Sequence, residues 1–337
     1  MSAGPSAPLL SPEEIALRAG QQVPFLRLPD AAQVFAERAL RLRQLAAGHP
    51  MREFLLFAAQ LAEAQQRVLA AYPAVPLPDA ETLDACARRS EPPLPAARWP
   101  RDAAWRAGLA ALCGQLQASL PDGPAQQTAA RLQASEPEWL EAQADRILAN
   151  VSIGIDIAAA PFIAAALQVY WTHLVAATDR TMAGSKQPPF GRTVDASCCP
   201  CCGSRPVASI VRIGGDTSGY RYLQCALCST QWHMVRIKCT HCENTKGIQY
   251  WSLEGADPAA ARDLKAVQAE TCDECGHYLK IVSMQKDPQV EPVADDLATL
   301  ALDLLVTEGG KQPHGINLML FYAESPPGDP PPDALRP

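Results

Sequence analysis

From Asp30 to Leu148 apolar residues return every three or four positions, the spacing of one face of an α-helix. Asp30 stands as a cap ahead of Val34, Phe35, Leu40, Leu42 and Leu45, and Gly48 and Pro50 close that segment. A second stripe follows in Phe54, Leu55, Ala58, Leu61, Ala62, Val68 and Leu69, and a later one in Trp139, Leu140, Ile147 and Leu148. Two helix starts carry a capping signature built around proline. In Ser11-Pro12-Glu13-Glu14, Ser11 accepts the free N–H of Glu14 while Glu14 reaches back; Ser135-Glu136-Pro137-Glu138 is a close variant. Ile157 to Thr172 holds 16 residues without a charge. A bilayer needs ~20, so this stretch predicts a helix buried in a soluble bundle and no stable membrane insertion. Strand signals are nearly absent before residue 185, and no sequence repeat imposes a solenoid. The pattern predicts an all-α domain over residues 1–184.

Gly184, Ser185, Pro188, Pro189 and Gly191 then interrupt the chain as a linker. Beyond it the period shortens. Val207 to Ile213, Tyr220 to Gln224, Gln249 to Leu253 and Tyr278 to Val282 read as short strands, the first two joined through Gly214-Gly215 as a hairpin. Val293 to Glu308 returns to helical spacing. Leu297, Leu300, Ala301, Leu304 and Leu305 form its apolar stripe, and Asp295, Asp296, Asp303 and Glu308 make the rest acidic. The sequence therefore divides at 1–184, 193–238, 239–290 and 291–325, with a Pro-, Gly- and Asp-rich tail at 326–337 that predicts disorder.

Composition adds little to a chain of 337 residues until cysteine is considered. Apolar residues are 48%, charged residues 19% and the net charge is −7, ordinary for a soluble multidomain protein. The chain has 12 cysteines. Disulfide-dense scaffolds are small and secreted, and Met1 to Pro12 lacks the basic and then apolar run of a secretory signal. A reducing, cytoplasmic setting is expected, in which clustered cysteines mean metal or redox chemistry. Cys86 and Cys113 fall on predicted helices as small hydrophobes.

Eight of the other ten form four C-x2-C pairs: Cys199/Cys202, Cys225/Cys228, Cys239/Cys242 and Cys272/Cys275. Two intervening residues let both thiolates face one ion while backbone N–H groups donate to sulfur. Two such knuckles supply the tetrahedral set that Zn²⁺ or a single iron takes. One C-x2-C also fits a redox dithiol; four within 80 residues point to metal. Successive pairing gives two sites, 199/202 with 225/228 and 239/242 with 272/275, separated by 22 and 29 residues that the short strands fit. An interleaved pairing, first knuckle with fourth and second with third, is the alternative. Each ion closes a segment with too little core to fold alone.

The first knuckle has two registers, because Cys198-Cys199-Pro200-Cys201-Cys202-Gly203 also contains Cys198/Cys201. Gly203 favours Cys199/Cys202, since a glycine after the second ligand permits the turn that aims N–H groups at sulfur. Cys198 and Cys201 are then spectators or a spare redox pair. With four cysteines per site, His233, His241 and His277 are superfluous as ligands. Trp232 and Trp251 are expected core anchors of the two small modules.

The segments Cys199-Pro200-Cys201-Cys202-Gly203-Ser204, Arg221-Tyr222-Leu223-Gln224-Cys225 and Gln231-Trp232-His233-Met234-Val235-Arg236 resemble the FdhE family, the formate dehydrogenase accessory (formation) proteins. So do Tyr250-Trp251-Ser252-Leu253, Cys272-Asp273-Glu274-Cys275-Gly276-His277-Tyr278-Leu279-Lys280 and Asp295-Asp296-Leu297-Ala298. The likeness covers about a third of the chain; the doubled cysteines at 198 and 201 depart from it. It implies an N-terminal all-α helical domain, two rubredoxin-like (zinc-ribbon-like) four-cysteine metal-binding modules and a C-terminal helix. It also implies a cytoplasmic maturation factor that binds the catalytic subunit of respiratory formate dehydrogenase. The family's functional cysteines map to Cys199, Cys202, Cys225, Cys228, Cys239, Cys242, Cys272 and Cys275.

Two other functions compete. A zinc-ribbon nucleic-acid binder should be basic, yet residues 192–287 carry 11 Lys/Arg against 10 Asp/Glu. Two divalent ions on eight thiolates would bring that formal +1 to −3, which leaves no electrostatic hold on nucleic acid. A rubredoxin-like electron carrier fits the ligands, because a four-thiolate iron changes oxidation state, but it has no need of a helical half. The sequence contains no flavin or nicotinamide fingerprint, serine elbow or phosphate loop. The expectation is a binding platform with two mononuclear ions, iron (rubredoxin-type) or zinc, and no catalytic role.

Overall fold

A computed structural model describes residues 23–185, 187–253 and 266–321. The capping signature at Ser11–Glu14 and the tail at 326–337 lie outside the described residues. Among the described residues seven helices form the first half: α1 (Val34–Leu45), α2 (Arg52–Ala70), α3 (Ala80–Arg89), α4 (Ala104–Ser119), α5 (Pro124–Gln133), α6 (Pro137–Leu148) and α7 (Ala160–Thr181).

Helix α7 is the central rod. Phe162, Ile163, Leu167, Val169, Tyr170, Trp171, Leu174 and Val175 are buried around its whole circumference, as an all-round apolar helix requires. Among the described residues it is the one helix long and apolar enough to cross a membrane, but 89% of its apolar window is covered by the rest of the protein. Helices α2, α4 and α6 pack against it. The buried Gln168 on α7 is paired: it accepts from Gln65 at 2.9 Å and donates to the Ala226 carbonyl at 2.7 Å. Asp79 caps α3 through the Thr82 N–H at 2.8 Å. The signature at Ser135 behaves differently from its sequence expectation. Pro137 does open α6, but no side chain caps it, and Ser135 Oγ donates to the Arg131 carbonyl of the preceding helix at 3.0 Å. The short loop lets the earlier helix end claim the hydroxyl.

The described part of the second half is built on one continuous sheet. Its strands are β1 (Leu26–Arg27), β2 (Pro206–Val211), β3 (Arg221–Cys225), β4 (Gln231–His233), β5 (Ile248–Trp251), β6 (Val267–Cys272), β7 (His277–Ser283) and β8 (Gln312–Pro313). The order is β1-β4-β3-β2-β7-β6-β5, with β8 against β7. The expected hairpin is β2 and β3. The expected strands of the second module, β5 and β7, do not pair with each other; both pair antiparallel with β6, which delivers Cys272. Strands β2 and β7 join the two antiparallel units through parallel pairing, Ser209 opposite Ile281 and Val211 opposite Ser283. Strand β2 is buried along its whole length, as a strand covered on both faces must be. Strand β1 precedes the seven described helices, and two residues of it pair with β4; so short a run carries no periodic signal.

The single helix expected over 293–308 is two, α8 (Pro292–Leu297) and α9 (Leu300–Glu308). The carbonyls that would carry the helix onward are taken from outside. Thr299 Oγ1 donates to Asp295 O at 2.8 Å, Lys280 Nζ to Asp296 O at 2.8 Å, and His49 Nε2 lies 2.9 Å from Ala298 O. The expected stripe is therefore wrong in α9. Leu302 and Val306 are buried, while Leu304 and Leu305 are 66% and 51% exposed. Nor are Asp295 and Asp296 a solvated acidic face: they are buried against Arg41 at 2.6 Å and Lys280 at 3.0 Å.

Candidate metal centres

Each knuckle is a tight loop, and three of the four share one bond pattern. The N–H of the first cysteine donates five residues onward: Cys199 to Ser204 O at 2.9 Å, Cys225 to Thr230 O at 2.9 Å and Cys239 to Asn244 O at 2.8 Å. The residue after the second cysteine is left-handed every time: Gly203 at φ 74°, Ser229 at 60°, Glu243 at 59° and Gly276 at 73°. Only two of the four are glycine, so the loop imposes the conformation on ordinary residues at a cost of about 1–2 kcal/mol each.

The structure brings the eight cysteines into two groups, Cys199, Cys202, Cys225 and Cys228, and Cys239, Cys242, Cys272 and Cys275. This is the successive pairing; the interleaved alternative is not what the fold makes. Sulfur separations are 3.5 Å for Cys199–Cys228, 3.4 Å for Cys202–Cys225 and 3.6 Å for Cys202–Cys228. In the second group they are 3.6 Å for Cys239–Cys275 and 3.8 Å for Cys242–Cys272. A regular tetrahedron with metal–sulfur bonds of ~2.3 Å has edges of about 3.8 Å, so both donor sets fit one ion with little movement. Backbone N–H groups already point at sulfur: Leu227 and Cys228 donate to Cys225 Sγ at 3.4 Å, and His241 donates to Cys239 Sγ at 3.4 Å.

The two groups differ in surroundings. All four sulfur residues of the first are buried and belong to the main apolar core. Its loops are held by the helical half: Leu94 and Ala96 donate to the carbonyls of Cys201 and Cys202 at 3.0 and 2.8 Å, and Trp171 Nε1 donates to Leu94 O at 3.1 Å. Burial pushes the Cys199, Cys225 and Cys228 thiols up; Cys202 is held well below the usual range against that burial, because its hydrogen bonding with the other three cysteines favours the charged form. Four desolvated sulfurs sharing their protons in this way are a site that a cation completes. In the second group Cys239 and Cys272 are buried, Cys275 is half-buried and Cys242 is exposed. Burial pushes Cys239 up to about 12. Cys242 is lowered: what burial it has would raise it, but the Asn244 N–H and the neighbouring thiols outweigh that.

Cys198 and Cys201 stand outside the first group. Cys201 is buried with its sulfur 3.6 Å from Thr230 Oγ1, and Cys198 lies 3.9 Å from Ser197 Oγ. Cys86 and Cys113 are buried on helices α3 and α4. Trp232 is fully buried, while Trp251 is partly buried against α9, where a side chain at Gly309 would strike its ring. His233 packs between Tyr220 and Tyr222, away from the sulfurs. His241 and His277 are different. Their rings stack at 3.7 Å, and together with Cys275 they form a further set of donors within 4.8 Å of one another. Sequence reasoning set these histidines aside because each site already had four sulfurs. Their positions, inside one knuckle and two residues past another, were the available signal.

The chain was compared with known proteins. Models of the FdhE family match in three segments: the N-terminal domain over residues 23–186, the central domain over 198–236 and the C-terminal domain over 237–320. The "Protein FdhE homolog" of Cronobacter sakazakii is 38% identical over 307 residues, which is 91% of this chain and 94% of that one. "Protein FdhE" of Escherichia coli O9:H4 matches with the same identity and coverage. The crystal structure of the FdhE protein from Pseudomonas aeruginosa superposes with a TM-score of 0.75 at 36% identity, covering 88% of this chain and 99% of that one. The likeness therefore runs through the helical half, both cysteine groups and the closing helices alike, and the chain belongs to the FdhE family of formate dehydrogenase formation proteins.

Proposed function

We propose that this chain is a cytoplasmic maturation factor that binds the catalytic subunit of respiratory formate dehydrogenase before export. It uses a platform in which two mononuclear ions are held by Cys199, Cys202, Cys225 and Cys228 and by Cys239, Cys242, Cys272 and Cys275. The observation that carries this reading is two four-sulfur sets borne on one sheet, the first of them tied to the helical body by buried hydrogen bonds from Gln168 to Ala226 O and from Leu94 and Ala96 to the carbonyls of Cys201 and Cys202. Such an assembly presents a rigid surface to a partner protein, and the family relationship names the enzyme served. Zinc at these sites would supply structure; iron would add one-electron redox chemistry. In this reading the chain assists another protein's assembly and turns over no substrate of its own.

The test is a deletion strain assayed for formate-dependent dye reduction. The strain should make formate dehydrogenase polypeptide but little active enzyme. The wild-type chain should restore activity, and a chain with both Cys225 and Cys228 replaced by Ser should not. Normal activity in the uncomplemented strain would end the client assignment, and full rescue by the double variant would end the role of the metal.

A further inference from the structure

Every sulfur residue of the first group is sealed in the core, whereas in the second Cys242 is exposed and Cys275 half-buried, beside a recess lined by Cys239, Cys272, His241, His277 and His314. His277 Nδ1 lies 2.9 Å from the Cys275 carbonyl. A carbonyl can only accept, so Nδ1 carries the proton and Nε2 keeps a free lone pair. His241 is exposed, and among the described residues neither of its ring nitrogens makes a hydrogen bond. His314 stands edge-on to His241 at 5.3 Å; it is 5% exposed, and its Nε2 has no partner among the described residues. A buried imidazole nitrogen left unpaired is costly.

We infer that His241, His277 and Cys275 form a capture site for a hydrated divalent ion of the Zn²⁺ or Fe²⁺ type, through which the second four-cysteine group is loaded and unloaded. This rests on the proposal that the eight cysteines are metal ligands. Cys275 belongs to both donor sets, so an ion can change partners without leaving it. The ion replaces bound waters with two neutral imidazole nitrogens and the Cys275 sulfur, whose proton passes to water. Cys239, Cys242 and Cys272 would then displace the two imidazoles and the last bound water, each thiol giving up its own proton to solvent, and the rings would leave neutral. The donors lie within 4.8 Å of one another, and metal–nitrogen bonds of about 2.0–2.1 Å require them to close in. The stacked rings cannot both point lone pairs at one ion, so one must turn; exposed His241 is free to do so. The first group has no such doorway, and its ion is held until the core opens.

The experiment uses the full chain loaded with two equivalents of Zn²⁺ and challenged with a chromophoric chelator, 4-(2-pyridylazo)resorcinol. Release should be biphasic, one ion leaving fast and one slowly. A chain with Cys239→Ser and Cys242→Ser should keep only the slow ion. His241→Ala with His277→Ala should still bind two ions, but its fast phase should slow on the order of tenfold. His241→Ala alone, at an exposed position, should show part of that effect without any risk to folding, and His233→Ala should show none. Release of both ions in one phase, or an unchanged fast phase in the double histidine variant, would overturn the capture site. A wild-type chain that takes up fewer than two ions would sink the ligand reading, and the capture site with it.

Discussion

At the scale of single residues, backbone room decides as much as side-chain chemistry. Gly315 shows it most sharply. A Cβ there would lie 2.6 Å from the Val207 carbonyl oxygen and 2.8 Å from Leu279 Cδ1. The neighbouring N–H groups of His314 and Ile316 donate to Tyr278 O and Pro206 O at 2.8 and 3.0 Å. The glycine thus lets the closing segment lie flat over β2 and β7, behind both cysteine groups. Gly315→Ala should cost about 1–3 kcal/mol, since the obstacle is backbone and cannot turn aside. Urea unfolding followed by tryptophan fluorescence measures it; a loss below the error of the fit would mean that the segment can lift without penalty.

At the scale of elements, the two cysteine-bearing units are tied through a buried ion pair as well as the β2–β7 pairing. Arg221 on β3 and Glu270 on β6 are essentially inaccessible and 2.8 Å apart. Arg221 also donates to Lys238 O at 3.0 Å, and Tyr250 OH donates to Glu270 at 3.0 Å. The ion-pair contact lies off hydrogen-bond angle, and Arg221 Nε has no partner among the described residues. An incompletely satisfied pair of this kind contributes little net stability, but losing one partner strands a buried charge. Glu270→Leu should therefore cost about 3–5 kcal/mol, and adding Arg221→Met should restore most of it. A double-mutant cycle in urea checks this; additive losses would show that the two charges act independently.

At the scale of the whole molecule, the described residues form two apolar cores, and the cysteine groups stand in different relation to them. The main core runs from the helices through Cys199, Cys202, Cys225 and Cys228 to Leu297 and Met319. The smaller one gathers Ile210, Tyr222, Val267, Tyr278, Val282, Leu302 and Val306 under the second unit. Structural four-thiolate sites contribute on the order of 10 kcal/mol to small modules. Cys225→Ser with Cys228→Ser should thus loosen the helical half too, lowering amide protection along α7 as well as in β3. Cys239→Ser with Cys242→Ser should expose β5 and β6 while α7 stays protected. Hydrogen exchange by mass spectrometry reads both variants. Equal protection of α7 in the two would refute the unequal coupling.

The sequence by itself determined the helical first half, the four knuckles and the ligand types, because helical spacing and C-x2-C are local patterns that a single stretch of chain displays. The β2–β3 hairpin was legible for the same reason, with Gly214-Gly215 between two apolar runs. The register Cys199/Cys202 was legible through Gly203, whose φ of 74° needs no β-carbon. Tertiary structure alone decided the rest. It chose successive over interleaved knuckles, since loop length permits both and only the sheet order fixes which loops meet. It joined the two units through β2 and β7, broke the last helix at Thr299, and turned Asp295 and Asp296 inward, because Arg41 and Lys280 reach them from distant parts of the chain. It also set His241, His277 and His314 around one sulfur group and sealed the other. Burial is a property of the assembled layers, and no local spacing records it.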